Sequence, residues 1–503
     1  MSVLNKKITN AAIIVLIFAI MITSSNVVMS VKSSTGIDFD PLVDIKVTVE
    51  IQKIRTFDKN DHQVHVREYV DRQSYPDFYV KVLINGEEFT SPVWHNTRYV
   101  YEPNWSATLN VPDNEEFVYI TIQLWDLKDD GYRNDRLCDI SGDSGLGSDR
   151  YDVELFYSIK TGHWSGDDFI NHKVSDADPS GYGRLNGCDD GSIYKHERDA
   201  ELWFNIYQND YDNDMIPYWM EVNEYGTNPE ANNKGEDADF DGIPIEWEWK
   251  WGYDPFAWDN HVNLDPERDG INNLEEYLTS QWYSDPFRKD LFIELDQMEE
   301  SPRGEKSILP EGAKELLYTA YDRQNIVYHL DDGKWNGSGS DMIPFDESTE
   351  SSPEGNDELN QIYVDYFLHG NENNWRCGVF HYGVVIYQSS EVNGNAFGNN
   401  RFQISSHGME EKASIPYLNR DVVYASAYMH ETGHTLGFWP IPGHNSHSKY
   451  PYQLGWWLTR TYKSCMNYGY MYKMVDYSDG SRIIRDYDDW SRMDLTYFQK
   501  QIE

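Results

Sequence analysis

Residues 429–438 read MHETGHTLGF and contain the pattern H-E-x-x-H at His430, Glu431 and His434. Residues four apart on an α-helix lie on one face, one turn above each other. Two imidazoles at this spacing can bind one metal ion, and the glutamate between them then faces a water molecule beside that ion. The preceding segment DVVYASAY has apolar residues at helical spacing, and Gly437 is suited to end the helix in a left-handed conformation. The stretch therefore predicts a helix that carries a metal site.

A zinc site of this kind needs a third ligand, and the sequence does not supply it at the expected place. One large class of such enzymes uses a downstream glutamate, but the only glutamate after the motif is Glu503, the last residue. The metzincin peptidases instead extend the motif to H-E-x-x-H-x-x-G-x-x-H and add a methionine turn. The chain resembles this class at Gly437 and at the segment SCMNYGY, which contains Met466 and Tyr468.

The register of the third histidine falls on Pro440, which cannot bind zinc. The following segment IPGHNSHSKYP contains His444 and His447, and its Pro-Gly pair can turn the chain sharply. We favour His444 because it directly follows that pair. His447, an aspartate such as Asp476, and a site without a third protein ligand remain alternatives.

The metzincin resemblance implies an α+β catalytic domain over residues 287–503, a Zn²⁺ cofactor and a peptide or protein substrate. It implies that Glu431 is the general base, that Met466 lies as an apolar floor under the metal, and that Tyr468 binds the metal or stabilises the oxyanion. The upstream sequence has a buried strand KDLFIELDQME, a helix PEGAKELLYTAYDRQ and a strand NIVYHL, which predict a parallel strand pair with a helical crossover. CGVFHYGVVIYQ is a further predicted strand, and NNRFQISSH a predicted edge strand.

Residues 207–286 contain an acidic sequence that repeats three times, as DYDNDMIPYWME, DADFDGIPIEWE and DPERDGINNLEE. Each copy has oxygen-bearing side chains at positions one, three, five and twelve, which is the calcium-loop pattern of an EF-hand. The copies resemble the repeats of thrombospondin type 3, and they predict a spacer stiffened by Ca²⁺. Gly242 and Gly270 provide the turn at position six, where the first copy has Met215. The predicted ligands are Asp210, Asp212, Asp214, Glu221, Asp237, Asp239, Asp241, Glu248, Asp265, Glu267, Asp269 and Glu276.

Residues 38–206 read as strands rich in Val, Ile, Tyr and Phe, which predicts an antiparallel β-sandwich. The segments YPDFYVKVLI, YEPNW and LWDLKDDGYRND resemble a C2 domain. The resemblance implies calcium ligands at Asp71, Asp77, Asp126 and Asp135, with Lys128 where an aspartate is often found. It leaves open whether the domain attaches to lipid or another surface in the presence of calcium, or only folds and spaces the chain.

The net charge and the N-terminal segment indicate which partners the protein has and where it is located. The chain has 42 Lys and Arg against 85 Asp and Glu, a net charge of −43, which argues against nucleic acid as a partner. Residues 1–32 combine two lysines with a short apolar run and predict a signal peptide, the alternative being an uncleaved anchor. The predicted location is therefore extracellular, either secreted or at the cell surface.

The even number of cysteines in a secreted chain permits disulfides, and Cys138 with Cys188 and Cys377 with Cys465 are the pairings within domains. The sequence thus predicts a secreted, monomeric, multidomain zinc metallopeptidase stabilised by calcium. The alternative is a calcium-dependent surface, adhesion or membrane-binding protein whose peptidase domain has degenerated.

Overall fold

The computed structural model describes residues 37–57, 75–128, 134–142, 150–170, 182–190, 193, 198–350, 358–390, 392–482 and 484–499. The predicted signal segment, residues 1–32, and the predicted ligand Asp71 lie outside these ranges. No helix within the described ranges is long and apolar enough to cross a bilayer.

The N-terminal region forms two antiparallel sheets, as predicted. The first has the order β10-β11-β1-β4 with β5 also on β1, and the second has the order β3-β2-β6-β8-β9 with β7 also on β6. Alternate residues of β1, β2 and β6 are buried in a shared apolar core, which is the pattern of a β-sandwich. The strands are β1 Lys46–Thr56, β2 Phe78–Ile84, β3 Glu87–Thr90, β4 Tyr99–Val100, β5 Trp105–Asn110, β6 Phe117–Asp126, β7 Arg136–Leu137, β8 Val153–Ser158, β9 Trp164–Gly166, β10 Arg184–Asn186 and β11 Ala200–Gln208.

The acidic repeats each end in a short helix. These are α1 Tyr218–Met220, which continues as a wider turn Glu221–Tyr225, α2 Ile245–Trp251 and α3 Asn273–Thr279. Trp247 and Trp251 of α2 pack into the core of the sandwich, whereas Ile271 of the third repeat packs into a core of the C-terminal domain. The repeat region therefore packs against both the sandwich and the C-terminal domain.

The C-terminal domain contains a sheet of order β13-β12-β15-β17-β16, with β14 also on β12. Its strands are parallel except β16, which runs antiparallel to β17 at the edge. The predicted parallel pair with a helical crossover is present as β12, α4 and β13. The strands are β12 Lys289–Met298, β13 Ile326–Asp331, β14 Met342–Ile343, β15 Phe380–Ile386, β16 Gly394–Ala396 and β17 Arg401–Ser405. The helices are α4 Glu311–Asp322, α5 Glu358–Ile362, α6 Arg376–Val379, α7 Ser406–Ala413, α8 Arg420–Thr435 and α9 Leu454–Thr459.

One local prediction in this domain was wrong, and one predicted strand is present with a later start. The segment NNRFQISSH is not the edge strand, because Phe402 and Ile404 are fully buried and β17 pairs on both sides, with β15 and β16. The segment that begins at Cys377 is helical up to Val379, and the strand starts only at Phe380.

The predicted disulfides are not formed, and all four cysteines are free thiols. Cys188 lies 3.6 Å from a carboxylate oxygen of Asp199, and Cys377 lies 3.4 Å from the hydroxyl of Tyr363. Burial raises the pKa of Cys138, Cys188 and Cys465. These cysteines therefore act as small core residues.

A buried ion cluster joins the sandwich to the C-terminal domain. Arg55 of β1 contacts both Glu201 of β11 and Asp322 of α4, and Arg184 donates to Glu201 at 3.0 Å. Burial raises the pKa of Glu201, but the surrounding cations Arg55, Arg184 and Lys53 outweigh it and lower the pKa to about 2. The cluster therefore holds a charged carboxylate at the domain boundary.

Candidate metal sites

Helix α8 carries the H-E-x-x-H motif in the interior of the C-terminal domain. The helix begins after Asn419, whose side chain accepts hydrogen bonds from the N–H groups of Asp421 and Val422 at 2.9 and 3.2 Å, and such a cap satisfies amides that the helix leaves unpaired. The side chains of His430, Glu431 and His434 are all buried. As predicted, the helix ends at a left-handed Gly437, with φ of +81°.

The methionine turn packs directly beneath the motif helix. A Cβ atom on Gly433 would lie only 2.6 Å from Sδ of Met466, so the glycine permits this close approach. Met466 is fully buried. The carbonyl of Cys465, in the same turn, accepts a hydrogen bond from Nδ1 of His430 at 2.8 Å. This bond fixes the ring and directs Nε2 away from the turn, as outer partners of metal-binding histidines do.

His444 is the residue that the structure brings to the motif. Its Nε2 lies 3.1 Å from Nε2 of His430. The ring centroids of His430, His434 and His444 are each 5.0 Å apart, and one ligand atom from each falls within 4.8 Å of the other two. The detour around Pro440 ends at a left-handed Gly443, with φ of +79°, which places His444 at the site.

The other candidates for a third ligand lie elsewhere. His447 is exposed, with Nδ1 3.3 Å from the hydroxyl of its neighbour Ser446. A carboxylate oxygen of Asp476 accepts a hydrogen bond from Trp490 at 3.1 Å.

The three imidazoles fit a tetrahedral zinc ion. Two nitrogens bound to one such ion at about 2.05 Å would be about 3.3 Å apart, close to the 3.1 Å between His430 and His444. Burial lowers the pKa of His430 to about 3, and burial also lowers the pKa of His434 and His444. All three are thus neutral, the form in which imidazole binds metal. Nδ1 of His434 is buried with no hydrogen-bond partner among the described residues, and Trp439 stacks on this ring at 4.5 Å.

Glu431 and Tyr468 flank the imidazoles. Burial raises the pKa of Glu431 to about 8, partly offset by the N–H of Ala396 in the edge strand β16. A Cβ atom on Gly394 of the same strand would lie 2.7 Å from Oε1 of Glu431, so the edge strand runs directly alongside the carboxyl group. The Tyr468 ring lies 4.3 Å from His444, and burial raises the pKa of its hydroxyl.

The three acidic loops share one backbone conformation. Positions four and six are left-handed in each loop, including Met215 with φ of +83°. The N–H of position six donates to the first aspartate at 2.9, 3.0 and 3.1 Å in the three loops. The first loop, in which methionine replaces glycine, therefore has the same conformation as the others. Holding a non-glycine residue there costs on the order of 1 kcal/mol.

Carboxylate oxygens are buried without partners in all three loops. Both side-chain oxygens of Glu248, Glu267 and Glu276, and one each of Asp212 and Asp239, have no hydrogen-bond partner among the described residues. Burial raises the pKa of Glu221 to about 8 and that of Glu248 to about 7, and it raises the pKa of Glu276 well above the usual range. Unpaired buried carboxylates require a counter-charge. The carboxylate clusters of the first and third loops suit calcium, whereas the ligand group of the second loop also contains His261.

The C2-like carboxylates meet at one end of the sandwich, but a lysine lies among them. The N–H of Asp77 donates to Asp126 at 3.3 Å, and Oδ2 of Asp135 accepts from the hydroxyl of Tyr79 at 2.9 Å. Nζ of Lys128 lies 2.5 Å from Oδ2 of Asp126, which is fully buried. A resident ammonium group therefore neutralises part of the predicted calcium site.

Comparison with known proteins gives structural matches alone. No protein-family model and no curated protein matches the chain. The structure titled "Structure of a C2 domain" is 12% identical and covers 33% of this chain and 98% of its own, with a TM-score of 0.18. A C2 domain of plant Extended Synaptotagmin 1 is 11% identical, with the same coverages and a TM-score of 0.16. Human GIVD cytosolic phospholipase A2 is 15% identical over 32% of this chain, which spans 17% of that protein, with a TM-score of 0.17.

Each of the three matches covers about a third of this chain. Identities and TM-scores at this level carry no argument about ligands, substrates or activity. The metzincin resemblance depends on the residues of the motif and its surroundings.

Sequence reasoning missed three contributors to these sites. The Cys465 carbonyl acts through its backbone, which no motif specifies. The edge strand β16 is three residues long and lacks an apolar pattern. His261 lies beside the second acidic loop, and the only indication of this in the sequence is its position between two acidic repeats.

The three-histidine site predicts different outcomes for two neighbouring histidines. His444→Ala should lose about one zinc per chain relative to the wild type, because two protein ligands do not complete the coordination that zinc prefers. Elemental analysis after dialysis measures this. The exposed His447→Ala provides the matched control and should keep its zinc; loss in both variants or in neither would contradict the assignment.

The buried carboxylates predict that Glu276→Gln changes thermal stability in opposite directions with and without calcium. With calcium at 100-fold over its dissociation constant, each bound ion stabilises the fold by about 2.7 kcal/mol. The variant should therefore melt several degrees below the wild type in calcium. In chelator it should melt at or above the wild type, because the neutral amide neither repels the neighbouring carboxylates nor has to take up a proton. Chelator should also increase proteolysis within residues 207–285.

Glu230→Gln is the control for this measurement, because Glu230 is exposed in the same region. It should behave like the wild type in both buffers. A wild-type melting temperature that is the same in calcium and in chelator would exclude calcium binding by the loops.

Proposed function

We propose that the chain is a secreted zinc-dependent metallopeptidase whose acidic loops are stabilised by calcium. The observation that carries the proposal is the convergence of His430, His434 and His444, with Glu431 buried beside them and the methionine turn beneath. The three imidazoles are neutral, as metal binding requires. The positive charge of a bound Zn²⁺ would lower the raised pKa of Glu431, so that its carboxyl group can act as a base. Zn²⁺ bound by the three imidazoles would polarise the scissile carbonyl and make a water molecule acidic enough to attack at neutral pH.

Glu431 is the proposed general base. Its carboxylate takes the proton from the attacking water at one oxygen and delivers it to the leaving amine nitrogen. Burial and the adjacent glycine hold the side chain in place, so that little reorganisation is needed when the proton moves. The Tyr468 hydroxyl, on the side of His444, is the proposed donor to the developing oxyanion.

The edge strand β16 offers a place for an extended substrate. It pairs on one side with β17, and no further strand lies on its other side within the described residues. An extended peptide can add to such an edge through backbone hydrogen bonds. A peptide bound there would lie alongside Glu431, because Gly394 and Ala396 both approach its carboxyl group.

The test of this function is Glu431→Gln, assayed on an unstructured protein substrate. Hydrolysis should fall by a factor on the order of 100 or more, because the amide cannot accept the proton, while the zinc content stays that of the wild type. Glu411→Gln, on the exposed surface of α7, is the control and should keep full activity. Equal activity in all three proteins would exclude the proposed role of Glu431.

The second candidate function is calcium-dependent binding to a surface or anionic lipid through the sandwich, with a degenerate peptidase domain. It is favoured by the meeting of Asp77, Asp126 and Asp135 at one end of the sheets. Binding calcium there requires that the ammonium group of Lys128 move away. The two functions reside in different domains and do not exclude each other.

Vesicle sedimentation tests this candidate. The wild type should pellet with phosphatidylserine vesicles in calcium and not in chelator, Asp126→Asn should lose pelleting, and Lys128→Asp should require less calcium. If none of the proteins pellets, lipid is excluded as the partner.

A further inference from the structure

The second acidic loop differs from the other two in having an imidazole at its centre. His261 lies in the turn His261–Asn263, is fully buried, and has Nε2 3.2 Å from Oδ2 of Asp241 and 3.5 Å from Oε1 of Glu248. We propose that His261 is a nitrogen ligand in this loop, and that the loop binds a transition-metal dication of the zinc type. The inference rests on the proposed role of the loops as metal sites and assigns this one a different ion.

The groups at this position are buried and aimed at each other. Nε2 of His261 and both carboxylate oxygens of Glu248 have no hydrogen-bond partner among the described residues, and both side chains are 0% exposed. One ligand atom each from His261, Asp241 and Glu248 lies within 4.8 Å of the other two. One imidazole nitrogen and two carboxylates are a donor set that zinc accepts in proteins.

The Nδ1 side of the His261 ring has a hydrogen-bond partner, as a metal-binding histidine requires. Nδ1 lies 3.0 Å from the side-chain amide of Asn273, whose own Oδ1 is buried without a partner. Amide oxygen and nitrogen are interchangeable by a half turn of the group. With Oδ1 facing the ring, Asn273 accepts the Nδ1–H and the lone pair of Nε2 points into the loop. The rings of Tyr253 and Trp247 pack against the imidazole at 5.0 and 6.0 Å.

The neighbouring loops show what replaces the imidazole. In the first loop, the hydroxyl of Thr227 donates to Oε1 of Glu221 at 3.0 Å. In the third loop, the hydroxyl of Ser284 lies beside Glu276 and donates to its backbone oxygen at 2.9 Å. The grouped ligand atoms of these two loops are carboxylate oxygens, which calcium prefers. Imidazole is a ligand of zinc and other late transition metals, so the histidine in its ligand group shifts the preference of the second loop.

The test measures bound metals on the full-length chain after equilibration with excess Ca²⁺ and two equivalents of Zn²⁺ per chain, followed by dialysis. His261→Asn should bind about one zinc fewer per chain than the wild type. Thr227→Ala, the matched change in the first loop, should keep the zinc content of the wild type. A His430→Ala/His434→Ala double variant should lose the other zinc, and combining it with His261→Asn should leave none.

These comparisons separate the inference from the proposed peptidase and calcium functions. A zinc ion lost with His261→Asn supports the inference even where the double variant loses none or where the other loops bind no calcium. Equal zinc in wild type and His261→Asn overturns it, and His261 is then a buried cation that pairs with Asp241 and Glu248.

A spectroscopic measurement covers the case in which His261→Asn does not fold. X-ray absorption at the zinc edge of the His430→Ala/His434→Ala variant keeps His261 intact. A zinc ion with a single imidazole in its coordination shell supports the assignment. Zinc with oxygen ligands alone, or no bound zinc, overturns it.

Discussion

Carboxylates buried without counter-charge in the acidic loops constrain how the whole chain is assembled. The chain has a net charge of −43, and part of it comes from carboxylates of these loops whose oxygens are shielded from solvent. Charged carboxylates are unfavourable in the interior unless a cation binds to them or they take up protons. Cations bound at these loops relieve this repulsion and also fix the conformation of the backbone around them. The loops connect two domains, so their metal content bears on the arrangement of both.

The loops are joined to later parts of the chain by backbone hydrogen bonds as well as by apolar packing. In each loop, the second oxygen of the position-five aspartate accepts an N–H from a later residue, namely Asn233, Asp259 and Asp290, at 3.3, 3.1 and 2.7 Å. The last of these is in β12, an interior strand of the C-terminal sheet. The third loop is therefore tied directly to the sheet that supports the motif helix. An ion that orders this loop also orders the start of β12.

The sequence predicted those features that depend on local pattern, and missed those that depend on backbone or on distant contacts. The loops were predictable because their ligands recur at fixed spacing, and Met215 shows that the carboxylate pattern holds the loop conformation even without its glycine. The motif helix was predictable from the apolar spacing of DVVYASAY and from Gly437, since both signals are local. The edge strand was misplaced because NNRFQISSH has the polar ends of an edge, whereas its burial comes from pairing with β15 and β16. The cysteine pairings were wrong because an even number of cysteines says nothing about the geometry between them.

The third imidazole shows how a motif can be completed outside its usual register. Pro440 stands where the helix-derived spacing would place a ligand, and the chain instead runs on through a left-handed Gly443 before His444 arrives. The carbonyl of Gly443 accepts the N–H of Tyr468 at 3.3 Å, and a Cβ atom on Gly443 would lie 2.4 Å from Oδ1 of Asn467. The detour is thus held by the methionine turn, which also orients His430 through the Cys465 carbonyl. The methionine turn therefore positions two of the three imidazoles, His430 and His444. For this reason the third histidine can reach the site from a position four residues beyond Pro440, where the usual spacing would place it.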